Sequence, residues 1–578
     1  MALVINASTY GAVANDSIDD SVAINAAVKA ANTEYLKNPS AGWVTVVLPT
    51  GTLLVKGTGD KSDGAISMLS GTALQGAGMG RTILKVADGW AGDMTGVVRT
   101  PFNEVTTDVG VFDLSIDGNR DATTGKIDGF YTGVRPGSTQ QDSNIHVSRV
   151  EILDCSGYGF DPHEQTLNLT IENSVSHGNG LDGFVADYIV RGIYRNNIAY
   201  DNDRHGFNVT TTTTGLLLEN NIAYGNGSTG IVVQRGSENI PWPSNIEIVG
   251  GQYYGNQKEG VLLNMADNVV INGATIYGNL SSGVRIEGST DTVVQNNRIF
   301  NNAQGGDNQF DEISIRMRLD PTTGQTYYSV NTQILNNTIY SDGAIDARYG
   351  VREERTNTAG GPTYISLFGN TISGTESGTI FTSVQKWIGT AGANVFRGTG
   401  FDEDLGGRSG NDTIRGMGGN DYVFGDAGND RLYGDNGRDW LFGGTGNDRL
   451  NGGLGNDTLI GDTGRDVFVF NTRLGSSTTD RKVNFDFAAQ YRAKDDSIWL
   501  DNAIFRKLDS GSAGNPRKLD ADFFNAGNRP KDSDDYILYN KKTGILSYDS
   551  DRSGSRKAVE FAHFTKGLAL THNEFFVV

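Results

Sequence analysis

The sequence predicts an all-β protein: a right-handed parallel β-helix followed by a calcium-binding parallel β-roll. Three observations predict it. A nine-residue period runs without a slip from Asp412 to Asp466, a period of about 23 residues runs through the middle of the chain, and Gly makes up 78 of 578 residues. Repeats of these lengths build solenoids whose stacked units bury one continuous core, and a length of 578 sets a prior of at least two domains.

The first element is a cap. Asp16-Ser17-Ile18-Asp19-Asp20 precedes the Ala-rich stretch Ser21–Ala31, which reads as an amphipathic helix near 17–32 closing the open end of the β-helix. Val44–Pro49 starts the first coil. The coils are clearest at Gly159, Gly183, Gly206, Gly230, Gly260 and Gly283, spaced by 24, 23, 24, 30 and 23. Asn179, Asn202, Asn226, Asn256 and Asn279 lie just upstream of five of these glycines and are expected to stack as a turn ladder. Ile240-Pro241-Trp242-Pro243 accounts for the long spacing as a loop inserted on one face. The β-helix module is assigned to 1–385.

The roll follows at 386–470. Asp412, Asp421, Asp430, Asp439, Asp448, Asp457 and Asp466 each have Gly two residues before and a large apolar residue two after, from Ile414 to Phe468. The glycines permit positive φ, the apolar residue points inward, and Asp with turn carbonyls offers hard oxygen ligands to Ca2+. Residues 401–470 carry 13 Asp/Glu against 6 Lys/Arg, so folding is expected to need the metal. Asn394 and Glu403 extend the phase upstream. After Phe470 the nonapeptides stop, and 471–578 is assigned to the C-terminal part of the roll module.

Composition narrows the function classes. With Cys155 alone there is no disulfide framework. No apolar run reaches membrane-span length, which predicts no membrane insertion. A net charge of −20 argues against nucleic acid and anionic membrane partners, and obliges any polyanion-binding groove to carry local Arg and Lys.

Alternation places chemistry on one face. Counting from each coil's Gly, the first position (Phe160, Phe184, Phe207, Ile231, Val261, Val284) and the third (Pro162, Ala186, Val209, Val233, Leu263, Ile286) are core. The second and fourth face outward, bringing Asp161, His163 and Asp187 together. Tyr158, Asp182 and His205 share the column before the Gly, with Arg204 beside His205. Strict alternation puts Tyr158 on the opposite face from Asp161, so a kink at Gly159 is needed to re-aim it.

These segments resemble bacterial mannuronan C5-epimerases: Tyr158 to Thr166, Asp117-Gly118-Asn119-Arg120-Asp121 with Lys126, Asp182 to Tyr188, and Asn202 to Val209. The resemblance covers roughly 1–470. It implies inversion of C5 in β-D-mannuronate within alginate, giving α-L-guluronate, with calcium dependence. It makes Tyr158 and His163 the base/acid pair in either order, Lys126 and Arg204 the groups that neutralise the uronate carboxylate, and Asp161 the residue that tunes His163 or Lys126. A Tyr base requires a lowered pKa, which Lys126 or Arg204 is expected to supply. His205, Asp187 and Arg120 join the substrate-binding set, and Arg235, Lys258 and Arg285 are expected to read further uronates. The same carbanion supports an alginate lyase. A hydrolase using Asp161, Asp182 and Asp187, and a non-catalytic calcium-dependent polysaccharide-binding protein, are the other readings. The N-terminus lacks a basic region followed by an apolar stretch, and Asn573–Val578 resembles an uncleaved type I secretion signal, so a secreted, extracellular monomer exported by the type I apparatus is expected.

Overall fold

In a computed structural model, the structure describes residues 3–578 apart from 135–139, 164, 238–239, 307–308, 321–323, 344, 355–364, 369, 376–377, 382–384, 390, 399, 401, 475–483 and 552–556. Glu164 of the expected site segment therefore lies outside the described residues. Two compact units result: Met1–Thr363 with Gly369–Thr382, and Tyr364–Phe368 with Ser383–Val578.

The first unit is a parallel β-helix. Helix α1 spans Ser21–Tyr35 and buries Ile24, Ala27, Val28, Ala31 and Tyr35. It starts four residues later than predicted because the upstream carboxylates serve turns: Asp19 accepts from Ser21 N–H at 3.0 Å and Asp20 from Val13 N–H at 2.9 Å. The site-bearing sheet runs in parallel register through Phe130, Phe160, Phe184, Phe207, Ile231, Val261, Val284 and Ile313. Phe160, Phe184 and Phe207 stack inside at 4.6 and 4.8 Å between ring centres. The Asn ladder forms as expected: each Nδ2 donates to the next Oδ1 at 2.8–3.0 Å from Asn179 through Asn302, whose Nδ2 donates to buried Glu312 at 2.6 Å. A second ladder stacks His177, Tyr200, Tyr224, Tyr254, Tyr277, Phe300 and Tyr340 at 4.6–5.1 Å.

The Gly column is explained by close approach. A Cβ on Gly159 would stand 2.0 Å from Ser176 Oγ and 2.6 Å from the Gly183 carbonyl, and Gly206 and Gly230 meet the next coil's Gly carbonyl in the same way.

The second unit is the roll. Strands 18 residues apart pair in parallel, as Thr413–Arg415 with Arg431–Asn436 and Tyr422–Phe424 with Trp440–Phe442. Ile414, Val423, Leu432, Leu441, Leu450, Leu459 and Phe468 are fully buried in one core. The roll continues past Phe470. Asp486–Ala489 pairs with Thr458–Ile460, Ser497–Leu500 with Val467–Phe470, and Phe575–Val577 with Ser497–Leu500. Among the described residues no helix is long and apolar enough to cross a membrane.

Candidate functional site

The site is built where a three-residue strand, Phe160–Pro162, passes between two neighbouring coils. Tyr158 precedes the strand, in the turn, so alternation does not govern it and no kink at Gly159 is required. Its N–H donates to Asp128 Oδ1 at 2.9 Å, and its ring lies under two cations, Lys126 Nζ at 4.4 Å and the Arg204 guanidinium at 5.5 Å from the ring centre. His163 follows the strand on the other side, its Nδ1 2.7 Å from Asp187 Oδ2. Its ring is flanked by Tyr131 at 6.0 Å and by the edge of Tyr188 at 6.1 Å. Tyr188 adopts φ +55°, uncommon for an aromatic residue.

Two fully or nearly buried carboxylates hold the cations. Asp128 Oδ2 accepts from Lys126 Nζ at 3.1 Å. Asp182 takes both prongs of Arg204, Nε at 2.7 Å and Nη2, and also accepts from His205 N–H at 3.0 Å and Asn208 Nδ2 at 2.8 Å. Such a planar fork on a carboxylate fixes the guanidinium's direction. Arg204 remains 40% exposed and Lys126 46%, so both present charge to the outer face.

The electrostatics correct one expectation. Burial raises the Tyr158 phenol above its ordinary range; Arg204 and Lys126 oppose this, and Asp161 and Asp182 add to the rise. Tyr158 is therefore a protonated phenol at neutral pH in this structure. Burial and Asp128 push the Asp161 carboxyl up to about 7 against His163 and Lys126. Burial pulls the Lys126 ammonium down, yet Asp128 and Asp161 together leave it above its usual value. Burial also lowers His205, whose Nδ1 accepts from Thr229 N–H at 3.3 Å.

A second expectation changes as well. The position after the core residues Phe160, Phe184, Phe207 and Ile231 faces outward but is covered: Asp161 is 5% exposed, Val185 3%, Asn208 5% and Val232 0%. Neighbouring side chains lie over them, as where Gln234 Nε2 donates to Asn208 Oδ1 at 3.0 Å.

The predicted outlying cations separate. Arg120 is drawn to Asp203 at 3.1 Å. Arg235 is only 12% exposed and bonds Asp320 at 2.6 Å, so it anchors the hairpin Arg318–Leu319/Thr326–Tyr327 rather than presenting an open charge. Arg285 is held by Glu259 at 3.0 Å and by Glu287. Lys258 is exposed and close enough to bear on His205.

Sequence reasoning missed Asp128, although the signal was present: Asp128-Gly129-Phe130 repeats Asp182-Gly183-Phe184, one coil before the alignment began. It also missed Arg99, fully buried beneath the Tyr131 ring at 4.6 Å.

In the roll, Oδ1 of each repeat Asp accepts a backbone N–H 18 residues upstream, as Asp421 N–H to Asp439 at 2.8 Å and Asp439 N–H to Asp457 at 2.9 Å. Asn394 and Glu403 take upstream places in this scheme, and Asp486 and Asp496 take downstream ones. Oδ2 of Asp412, Asp421, Asp430, Asp439, Asp448, Asp457 and Asp466 is buried with no hydrogen-bond partner. Burial pushes these carboxyls up, Asp421 to about 8 and Asp430, Asp439 and Asp466 to about 7. Orphaned carboxylate oxygens beside turn carbonyls suit Ca2+, a hard cation that satisfies oxygen ligands and favours their ionised form. Among the described residues no three acidic or imidazole side chains converge, so backbone carbonyls must complete each coordination shell.

A coil stack with a polar face, joined to an aspartate-lined roll, defines a pectate-lyase-like β-helix carrying an RTX module. The family model "Rhamnogalacturonase A/epimerase, pectate lyase-like" matches residues 4–255, "Right handed beta helix region" matches 216–386, and "RTX calcium-binding nonapeptide repeat" matches 397–432, 406–441 and 433–468. The solved A-module of mannuronan C-5 epimerase AlgE6 from Azotobacter vinelandii superposes with a TM-score of 0.61 at 44% identity, covering 65% of this chain and 95% of that one. Full-length AlgE6 is 48% identical over 70% of this chain, and alginate lyase 7 of the same organism 42% over 71%. The chain belongs to the mannuronan C5-epimerase family. It spans 46% of the length of each of those two relatives.

Proposed function

We propose that this chain is a calcium-dependent mannuronan C5-epimerase acting within the alginate polymer. The observation that carries the reading is the bracketing of strand Phe160–Pro162 by two protic groups, Tyr158 under two cations and His163 on Asp187. A mannuronate lying across Asp161 has one on each side.

The roles follow from the proton positions. Asp187 accepts the Nδ1 hydrogen of His163, which leaves the lone pair on Nε2. His163 is the base: Nε2 takes H5, and the electron pair of the C5–H bond delocalises into the adjacent carboxylate. Lys126 and Arg204 neutralise that carboxylate, where charge builds up. Tyr158, protonated at rest, gives its proton to the opposite face of C5. Both groups reset by exchange with water.

The lyase reading has the similarity to alginate lyase 7 in its favour. There the C4–O bond breaks, C4=C5 forms, and the Tyr158 proton goes to the leaving oxygen. Polymannuronate incubated with calcium separates the two: guluronate signals in proton NMR without unsaturated-uronate absorbance establish the epimerase, and rising absorbance with falling chain length establishes the lyase. Neither signal refutes both.

On the roll, Arg415 lies over Tyr433 and Arg449 over Trp499, each at 4.6 Å; Arg415 is forked onto Asp435, and Arg397 and Asp435 line the same cavity of about 630 Å³ as Arg415. Secretion through a type I apparatus and a monomeric state complete the proposal, the first supported by the RTX repeats.

A further inference from the structure

We propose that Arg348 and Asp311 form a second carboxylate clamp for the polyuronate, a copy of Arg204–Asp182 set five coils further along the same face. The proposal rests on the substrate reading above.

The copy is positional as well as chemical. Register through Phe184, Phe207, Ile231, Val261, Val284 and Ile313 places Asp311 in the column of Asp182, two residues before the first core position of its coil. Ile313 pairs with Val351, which places Arg348 in the column of Arg204, three residues before that position. Each arginine reaches back one coil to the carboxylate behind it, and each engages it through Nε and Nη2 on two different oxygens. For Arg348 both contacts are 2.9 Å. Both carboxylates have no exposed surface, and Arg348 keeps 23% of its side chain exposed against 40% for Arg204. The surroundings differ in their tyrosines: Arg204 lies 5.5 Å from the ring of Tyr158, two coils back, whereas Arg348 lies 6.0 Å from the ring of its own sequence neighbour Tyr349.

Burying a carboxylate to hold an arginine that is partly exposed is a poor route to stability. It is a good way to hold a fixed cationic fork at a chosen place. Arg316 and Arg352 are also close enough to act on Asp311, and buried Glu312 lies beside it. Five coils advance by about 24 Å, and one coil is close to the length of one β-1,4-linked pyranose. An extended uronate chain held at Arg204 therefore brings a carboxylate about five sugars away to Arg348. A chain shorter than that reaches only one clamp.

The test compares full-length calcium-loaded wild type with Arg348→Gln and Arg348→Lys on long polymannuronate and on the tetramer. Arg348→Gln is expected to raise KM for the polymer by about tenfold or more, the loss of one charge-assisted contact, with kcat unchanged and tetramer kinetics unchanged. Arg348→Lys restores charge without the fork and is expected to fall between. An unchanged polymer KM, or an equal loss on tetramer and polymer, overturns the clamp. If wild type turns over neither substrate, the activity reading fails by itself. Calorimetric binding of polymannuronate then decides the clamp: weaker binding by Arg348→Gln upholds it, equal or absent binding overturns it.

Discussion

His163 Nδ1 lies 2.7 Å from Asp187 Oδ2, while the other oxygen of Asp187 is buried without a hydrogen-bond partner among the described residues. The carboxylate thus sets the imidazole tautomer and its direction. Replacing it with an amide of the same shape makes the wrong tautomer available. Asp187→Asn is expected to lower kcat by about a hundredfold or more with little change in KM, measured by the NMR rate of guluronate formation.

Tyr158→Phe removes one hydroxyl and keeps the ring beneath Lys126 and Arg204. Polymannuronate binding is expected to persist, while turnover falls by about 10²–10⁴. Retained turnover would remove Tyr158 from the chemistry. Isothermal titration beside the rate assay distinguishes the two effects.

Asp161 titrates near 7 through burial and Asp128. Below that pH it is neutral, and above it the face gains a negative charge against an anionic substrate. KM is therefore expected to rise as pH passes from 6 to 8, and Asp161→Asn to flatten that rise. An unchanged slope in the variant would assign it elsewhere.

The roll carboxyls give the sign of a second pH effect. Without calcium, burial raises them all, and Asp421, Asp430, Asp439, Asp448, Asp457 and Asp466 sit at about 6 to 8, above the 3.8 of an unperturbed Asp. The folded state then holds more protons than the unfolded one, and stability falls as pH rises from about 4 to 8. With the metal bound the carboxylates are ionised and the trend reverses. Melting of the roll followed by circular dichroism is expected to give a lower Tm at pH 8 than at pH 5.5 in chelator, and a higher one at pH 8 in calcium.

Gly159→Ala tests the packing column. The added Cβ meets Ser176 Oγ at 2.0 Å and a backbone carbonyl at 2.6 Å, which forces the coils apart. A loss of about 1–3 kcal/mol is expected, read as a lower Tm and a lower midpoint in denaturant.

Legibility followed periodicity. Residues repeating in register, such as Phe160, Phe184 and Phe207 or the roll aspartates, could be read because each copy confirms the next. Asp128 escaped through a 30-residue spacing to the next coil, and Asp486 and Asp496 through an insertion that breaks the nine-residue phase. Arg235 reads as an open cation because its partner, Asp320, lies 85 residues away with no local signature. The Tyr158 proton affinity is not legible in the sequence because burial, which raises it most, and the charges of Asp161 and Asp182 both follow from three-dimensional placement.

The Asn ladder passes from Asn226 to Asn256 with the same 3.0 Å bond it makes between Asn202 and Asn226, although the first interval holds six more residues. The stack thus accepts extra chain at its turns without losing step, whereas any part of a coil added to a strand would break the ladder. Such a scaffold can lengthen or shorten only by whole coils, so the reach of its outer face along a polymer changes in increments of about one sugar. Selection on substrate length would then act on the number of coils, leaving the geometry of each one untouched.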